Sequence, residues 1–236
     1  MNNYNRFKNL EIDDDEDDIL FISLGQQCGV AYNLEKYGYK SESLPFDWIR
    51  TPNFPSIVKL IENKFSDFLN EIELEYNDNP EVKFYFRNKI THCEFVHECE
   101  ETDFNTIKEK YNRRIKRFYN KLTEYKKIIF IRDIYRHNYS KNYIDAASIN
   151  SFTQIIKQIN KDLKFCFFIV YKEDIISNKI ISSIKEKVLP NIIFIQDKTY
   201  GRYWKRDQFN WNELFEKCQY YFDNPQSFHT HELILE

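Results

Sequence analysis

The second half of the chain contains three short apolar segments: KIIFIR at 127–132, KFCFFIVY at 164–171 and IIFIQ at 192–196. Continuous apolar runs of this length predict strands that are buried on both faces, as in a parallel sheet covered by helices. Helical patterns at about 151–162 and 177–188 separate them, and ILFISL at 19–24 adds a fourth strand. We therefore predict an α/β fold, with three layers and an open, mostly parallel sheet.

The rest of the chain is predicted to add helices and a small antiparallel element. Apolar residues at helical spacing predict further helices at 27–37, from a cap at Ser56 to 69, at 104–125 and at 212–222. Strand patterns at 83–86 and 90–97 are separated by Arg87, Asn88 and Lys89, which predicts an added β-hairpin.

The composition fits one sizeable domain with two tails. Of the 236 residues, 42% are hydrophobic, which is enough for a substantial core, and only four are glycine, which argues against a linker-dominated chain. We predict a single α/β domain over 19–225, an acidic disordered tail over 1–18 and a C-terminal tail over 226–236. The first tail contains DDDEDD at 13–18, whose alternative role is contact with a protein or binding of a metal.

Charge and cysteine usage limit the classes of function. A net charge of −3 gives no general attraction to nucleic acid, and no apolar run approaches the roughly 20 residues that cross a bilayer. The five cysteines are odd in number and unevenly spaced, which argues against a disulfide framework. Since the start of the chain lacks a secretory signal pattern, we predict a cytoplasmic, reducing location, with neither a nucleic-acid nor a membrane partner.

Cys28 is the candidate nucleophile. It follows the strand at 19–24 and Gly25, and it lies in the first turn of the predicted helix. Unpaired N–H groups and the positive end of the helix dipole favour a thiolate there, and a depressed thiol pKa makes a cysteine reactive near neutral pH. Backbone N–H groups around Gln27 and Gly29 are predicted to stabilise an oxyanion. The alternative is a buried structural cysteine.

A thiol nucleophile needs a base, and the chain offers five histidines: His92, His97, His137, His229 and His231. His97 is preferred because it ends a predicted strand, where open sheets expose reactive side chains. His137 is the second choice. His229 and His231 lie near the C-terminus and are interpreted as tail residues.

Neither a metal nor a cofactor is predicted. His92, Cys93, His97 and Cys99 invite a zinc interpretation, but residues 93 and 97 of a regular strand lie about 13 Å apart, too far to share one ion. The LGQQCG turn at 24–29 lacks the glycine patterns that bind nucleotide phosphates.

Three further side chains complete the predicted site. Asp47, within SLPFDW at 43–48, is assigned as the catalytic residue that orients the histidine, with a turn cap as the alternative. Phe46 and Trp48 are expected to pack into the core. Arg132 and Asp133 end a buried strand, and as a polar pair they are expected to line the same cleft and contact substrate.

The segment ISLGQQCGVAYNLEKYGYKSESLPFDWIRTP at 22–52 resembles a family of bacterial and large-DNA-virus proteins described as papain-like cysteine peptidases. The shared patterns are S-L-G-x-x-C at 23–28, S-x-P-F-D-W at 43–48 and F-x-H-[DE] at 95–98. The resemblance implies a thiol hydrolase with Cys28 as nucleophile and His97 as base, and it makes a papain-like α+β fold the alternative architecture. Papain-like enzymes carry a glutamine several residues before the nucleophile, whereas Gln26 and Gln27 are directly beside it.

These observations predict a cysteine-dependent hydrolase that acts on an amide, isopeptide or ester bond of a protein, peptide or glycan substrate. The alternative is an α/β binding or glycan-processing module in which Cys28 is structural. A third hypothesis, suggested by the acidic tail alone, is a host-interaction protein without chemistry.

Overall fold

The structure is a computed structural model that describes residues 18–51, 53–76, 84–98, 103–134, 144–199 and 204–224. Its elements in chain order are β1 (Ile19–Ser23), α1 (Gly29–Lys36), α2 (Phe54–Glu62), β2 (Ile72–Tyr76), β3 (Phe84–Asn88), β4 (Glu94–Phe95), α3 (Phe104–Glu124), β5 (Lys127–Ile134), α4 (Ala146–Ile159), β6 (Lys164–Tyr171), α5 (Asn178–Lys185), β7 (Ile192–Gln196) and α6 (Trp211–Asp223). Residues 1–17 and 225–236 lie outside the described residues, so the predicted limits of the two tails stay predictions.

Four parallel strands form the main sheet, in the order β1-β5-β6-β7. Ile22 is paired with Phe130, Phe130 with Phe167, and Phe167 with Ile192, so one row of apolar side chains crosses the whole sheet. This sheet confirms the α/β class and the four strands predicted from the apolar runs. The papain-like α+β alternative is wrong for this sheet, because its strands are all parallel and are joined through helical connections.

The sheet is buried on both faces because successive strand residues point in opposite directions. On β5, Ile128 and Phe130 join one hydrophobic core, whereas Ile129 and Ile131 join the other. The first core is closed by α2, α3, α4 and α5, and the second by α1 and α6. The result is the predicted three-layer arrangement.

The helices occur where apolar spacing predicts them, but two of them start earlier. The cap of α2 is Asn53, whose side chain accepts the Ser56 N–H at 2.8 Å, so the prediction of Ser56 as the cap was wrong. Pro55 fits the first turn because its missing N–H is not needed there. Helix α4 begins at Ala146, since Asp145 and Ser148 form a reciprocal capping box. Among the helices described, none is both long and apolar enough to cross a bilayer.

The added antiparallel element is a three-stranded sheet, in the order β2-β3-β4. The predicted hairpin turn at Arg87–Lys89 was placed too early, because β3 continues to Asn88. The Asn88 side chain instead organises the following turn, where its oxygen accepts the N–H groups of Ile90 and Thr91 at 2.8 and 2.6 Å. Strand β2 was not predicted, because its sequence IELEY alternates apolar and charged residues and is only half buried.

We expect Phe152→Ala to lower the free energy of unfolding by about 3–5 kcal/mol, because it opens a cavity in the first core. The Phe152 ring lies 5.1–5.5 Å from the rings of Phe54, Phe130 and Phe167, and it is fully buried. Urea unfolding measures the change. Tyr220→Ala is the control, since Tyr220 is 57% exposed and its loss should cost less than about 0.5 kcal/mol. Equal effects of the two substitutions would contradict this assignment of the core.

Candidate active site

Cys28 lies at the carboxyl edge of the parallel sheet. After β1, the Leu24 N–H donates to the carbonyl of Ile131 at 2.8 Å, which holds the following turn against β5. Cys28 is the residue that precedes α1, and its carbonyl accepts the Tyr32 N–H at 2.8 Å. The strand-to-helix position predicted for the thiol is therefore observed.

Two glycines allow the turn around Cys28 to pack closely. Gly25 has a φ of +74°, and a Cβ there would lie 2.7 Å from the hydroxyl oxygen of Thr51. A Cβ on Gly29 would collide with the carbonyl oxygen of Trp204. The Thr51 N–H also donates to the Gln26 carbonyl at 2.9 Å. The turn is thus enclosed by the segment that follows SLPFDW and by the segment that precedes α6.

His97 reaches the same place from the small sheet. It follows β4, whose Glu94 exchanges two backbone hydrogen bonds with Arg50, each 2.9 Å long. The ring of His97 meets the ring of Trp48 edge-on, with 5.9 Å between the ring centroids. Trp48 is only partly buried, so the expectation that it packs into the core was wrong, whereas Phe46 is fully buried as expected.

The structure brings the predicted nucleophile and base together. The Cys28 Sγ lies 3.2 Å from the His97 Nε2, although 69 positions separate the two residues. Cys28 is 5% exposed, whereas His97 is an exposed residue. A substrate can therefore approach from the imidazole side and meet a largely buried thiol. This distance is within the range needed for proton transfer between the two groups.

The electrostatics favour an uncharged pair. Burial raises the pKa of the Cys28 thiol to about 12, with Arg50 opposing the shift and Asp47 adding to it. Burial also lowers the pKa of His97. The prediction of a depressed thiol pKa was therefore wrong, because the loss of hydration outweighs the helix terminus and the nearby cations. At neutral pH the proton lies on sulfur.

Asp47 makes its described hydrogen bonds away from His97. Its Oδ2 accepts from the Lys40 ammonium at 2.7 Å and from the Leu44 N–H at 2.6 Å, and the side chain is fully buried. Its Oδ1 has no hydrogen-bond partner in the described part of the chain. These contacts match the turn-cap alternative and do not supply the predicted orientation of the histidine. No hydrogen bond to the second ring nitrogen of His97 is present among the described side chains.

Arg132 stabilises the turn that carries Cys28 from inside the protein. Its Nη1 donates to the Leu24 carbonyl at 2.6 Å and to the Thr51 hydroxyl at 3.2 Å, and its guanidinium lies 5.6 Å from the centre of the Phe54 ring. Burial is complete and lowers the pKa of Arg132 to about 9. The expectation that Arg132 contacts substrate was wrong for this structure, because the whole side chain is shielded from solvent.

Asp133 lies on the other face of the sheet from Arg132, since neighbouring strand residues point to opposite faces. Its carboxylate pairs with Arg206, which also pairs with Asp197 after β7. Lys172, after β6, lies 3.1 Å from Asp197 and completes the network. Asp133 is 3% exposed, so its predicted place beside Arg132 in one open cleft was wrong. Its role here is to join the ends of three strands.

Sequence reasoning missed several charged residues around the site. Lys40 and Arg50 both act on the thiol, and Lys40 also lies 5.2 Å from the centre of the Trp48 ring. Arg206 is the centre of the buried network, and it has a positive φ of 50°. Arg50 lies two residues after SLPFDW, and this proximity to the motif was the one sign in the sequence that Arg50 belongs to the site. Nothing local in the sequence indicated Lys40 or Arg206.

The remaining candidates divide into two groups. His92 is exposed, and its Nδ1 lies 3.4 Å from the guanidinium of Arg87. Cys99, His137, His229 and His231 lie outside the described residues. Within the described ranges, no group of three or more His, Cys, Asp and Glu side chains is placed to hold a metal ion.

Comparison with known proteins agrees with the motif patterns. The family model described as "Putative papain-like cysteine peptidase (DUF1796)" matches residues 19–174, which include both Cys28 and His97. The chain belongs to this family. It is also 32% identical over 223 residues to "Uncharacterized protein R408" of Acanthamoeba polyphaga mimivirus, a match that covers 84% of this chain and 97% of the relative. No solved structure matches the chain.

We expect alkylation of Cys28 by iodoacetamide to rise about tenfold per pH unit between about pH 7 and pH 9.5, without a plateau. The thiolate is the reacting species, and with a thiol pKa of about 12 its fraction keeps increasing over this range. His97, whose pKa is lowered, is already unprotonated there and adds no step. Peptide mass spectrometry measures the rate, with Cys28→Ser as the blank. A plateau near neutral pH would instead indicate a thiolate–imidazolium pair.

Proposed function

We propose that the protein is a cysteine-dependent hydrolase of an amide, isopeptide or ester bond, with Cys28 as nucleophile and His97 as general base. The observation that carries this proposal is the 3.2 Å contact between the thiol sulfur and the imidazole Nε2. Membership of a family described as papain-like cysteine peptidases supports the same reaction class. The fold by itself adds no support, since one fold serves many reactions.

Because the Cys28–His97 pair is uncharged, the thiol proton is transferred to His97 during the nucleophilic attack. As the Cys28 sulfur attacks the carbonyl carbon, the thiol proton moves to the Nε2 of His97, and the carbonyl oxygen becomes negative. Collapse of this intermediate breaks the bond to the leaving group, which takes the proton from His97. The acyl group stays on the Cys28 sulfur as a thioester. Water then attacks the thioester with His97 again as base, and this step releases the acid and restores the thiol.

Two kinds of donor near Cys28 fit an oxyanion site. The N–H groups at the start of α1 directly follow Cys28 in the chain and carry the positive end of the helix dipole. The side-chain Nε2 of Gln27 is buried and has no hydrogen-bond partner in the described part of the chain. A buried donor without a partner is costly, and a developing oxyanion would satisfy it. We propose that Gln27 and the N–H of Gly29 serve this role.

The alternative, a binding or glycan-processing module with a structural Cys28, is favoured by one observation. The thiol is 5% exposed and its pKa is raised, as for a core cysteine. Against it, the sheet edge brings Cys28 together with a histidine, whereas Arg132 and Asp133 are withdrawn from solvent. The hydrolase is therefore the function that the site supports best.

We expect Cys28→Ser to abolish hydrolysis across a panel of activated esters and fluorogenic peptide amides, because the nucleophile is lost. His97→Ala should lower kcat/KM by about 10²–10⁴-fold, the usual contribution of a positioned general base. Steady-state assays of the purified variants measure both effects.

Cys166→Ser is the matched control, since Cys166 is a free cysteine with similar burial that packs in the second core. It should retain wild-type kcat/KM. Hydrolysis that survives in Cys28→Ser would contradict the proposal, and so would an equal loss in Cys166→Ser.

A further inference from the structure

Four basic side chains act on the Cys28–His97 pair. Arg50 and Lys40 favour the thiolate form of Cys28, and Arg50, Arg114 and Lys110 add to the effect of burial in lowering the pKa of His97. They come from different places in the chain, two from the segment around SLPFDW and two from α3. Two carboxylates oppose these cations, since Asp47 raises the pKa of Cys28 and Glu98 raises that of His97.

Three of these cations are neutralised locally. Each one has its own carboxylate, in the pairs Lys40–Asp47 at 2.7 Å, Arg50–Glu94 at 3.4 Å and Lys110–Glu98 at 2.5 Å. All three carboxylates are at least 96% buried, so they are not available to a further cation from solvent. They offset three of the four positive charges.

Arg114 is the fourth cation, and its charge acts on the buried carboxylate of Asp47 as well as on His97. Its guanidinium lies 4.8 Å from the centre of the Tyr111 ring, and Tyr111 in turn approaches the Glu98 carboxylate, next in sequence to His97, at 3.5 Å. Arg114 forms no ion pair with any carboxylate of the described residues. Its Nη1 is buried and has no hydrogen-bond partner there. A buried N–H donor that is charged and has no partner is stabilised by hydrogen bonding to an incoming anion.

We propose that Arg114 binds a carboxylate of the substrate, so that the site prefers acyl groups that carry a negative charge close to the bond that is cleaved. This inference rests on the proposed hydrolase and adds a substrate class to it. A guanidinium holds a carboxylate through two parallel N–H bonds, which also fixes its orientation. Arg114, which contacts Tyr111 on α3, thereby becomes a specificity residue for the proposed hydrolysis.

The test compares alkylation of Cys28 by iodoacetate, which is anionic, with alkylation by iodoacetamide, which is neutral. Both reagents need the same thiolate, so the ratio of their rates cancels the thiol pKa and reports the local charge. We expect the ratio at Cys28 to exceed that of free cysteine by about threefold or more, as a local potential of about one kT or more produces. Raising the salt concentration should reduce it.

Substitutions assign the preference to Arg114. Arg114→Gln should bring the ratio close to that of free cysteine, whereas Arg114→Lys, which keeps the charge, should preserve most of it. Arg113→Gln is the matched control, because Arg113 is the neighbouring residue of α3 and is exposed. It should leave the ratio unchanged. Circular dichroism and thermal unfolding verify that each variant is folded, and Arg114→Met, which also removes the charge, replaces Arg114→Gln if the latter does not fold.

Two isomeric competitors identify the source of the carboxylate. N-acetylglutamate α-amide carries it on the side chain, and N-acetylglutamine carries it at the chain terminus. At millimolar concentration, one of them should slow the alkylation of Cys28 by iodoacetamide more than the neutral N-acetylglutamine α-amide does. Protection by neither isomer would count against the proposal.

The proposal is overturned if the ratio is no higher than for free cysteine, or if Arg114→Gln leaves a raised ratio unchanged. If iodoacetamide still labels Cys28 in those cases, and the hydrolysis still depends on Cys28 and His97, the proposed function stands and only the charge preference fails. If neither reagent labels Cys28 and no substrate of the panel is cleaved, both proposals fail.

Discussion

The guanidinium of Arg132 links the parallel sheet to the turn that carries Cys28 and to the segment of Thr51 that encloses this turn. One of its nitrogens donates to the Leu24 carbonyl at the end of β1 and to the Thr51 hydroxyl, and Thr51 donates its N–H to the carbonyl two residues before Cys28. A buried cation is costly without such acceptors, so the positions of these segments depend on one another. The place of the thiol is thus determined partly by the neighbouring strand.

Two opposing electrostatic effects meet at Cys28. The helix terminus, Arg50 and Lys40 stabilise a thiolate, whereas burial removes the water that would solvate it, and burial dominates. Partial desolvation of the His97 ring, whose Nε2 lies against the buried thiol, also lowers the pKa of His97. The positive charges of the site therefore belong to side chains around an uncharged Cys28–His97 pair. They can stabilise a negative charge that develops on the substrate during the reaction or that a ligand carries.

Local patterns predicted most of the fold but only part of the site. Buried parallel strands such as KFCFFIVY have a distinctive composition, so the four-stranded sheet was predictable, whereas β2, with IELEY, had no such signal. Cys28 and His97 were identified through their positions after strands. The roles of Asp47, Arg132 and Asp133 depend on partners distant in sequence, such as Lys40, Thr51 and Arg206, and a single sequence does not reveal such partners.

The two members of the candidate pair belong to different sheets. Cys28 is anchored to the large parallel sheet, whereas His97 follows a strand of two residues whose connection to the rest includes the bridge between Arg50 and Glu94. Phe95 of that strand is nevertheless fully buried in the first core, where its ring contacts those of Phe68 and Tyr111. The distance between base and thiol is therefore maintained by the packing of one aromatic side chain as well as by backbone pairing, so loosening of this part of the core would separate the two.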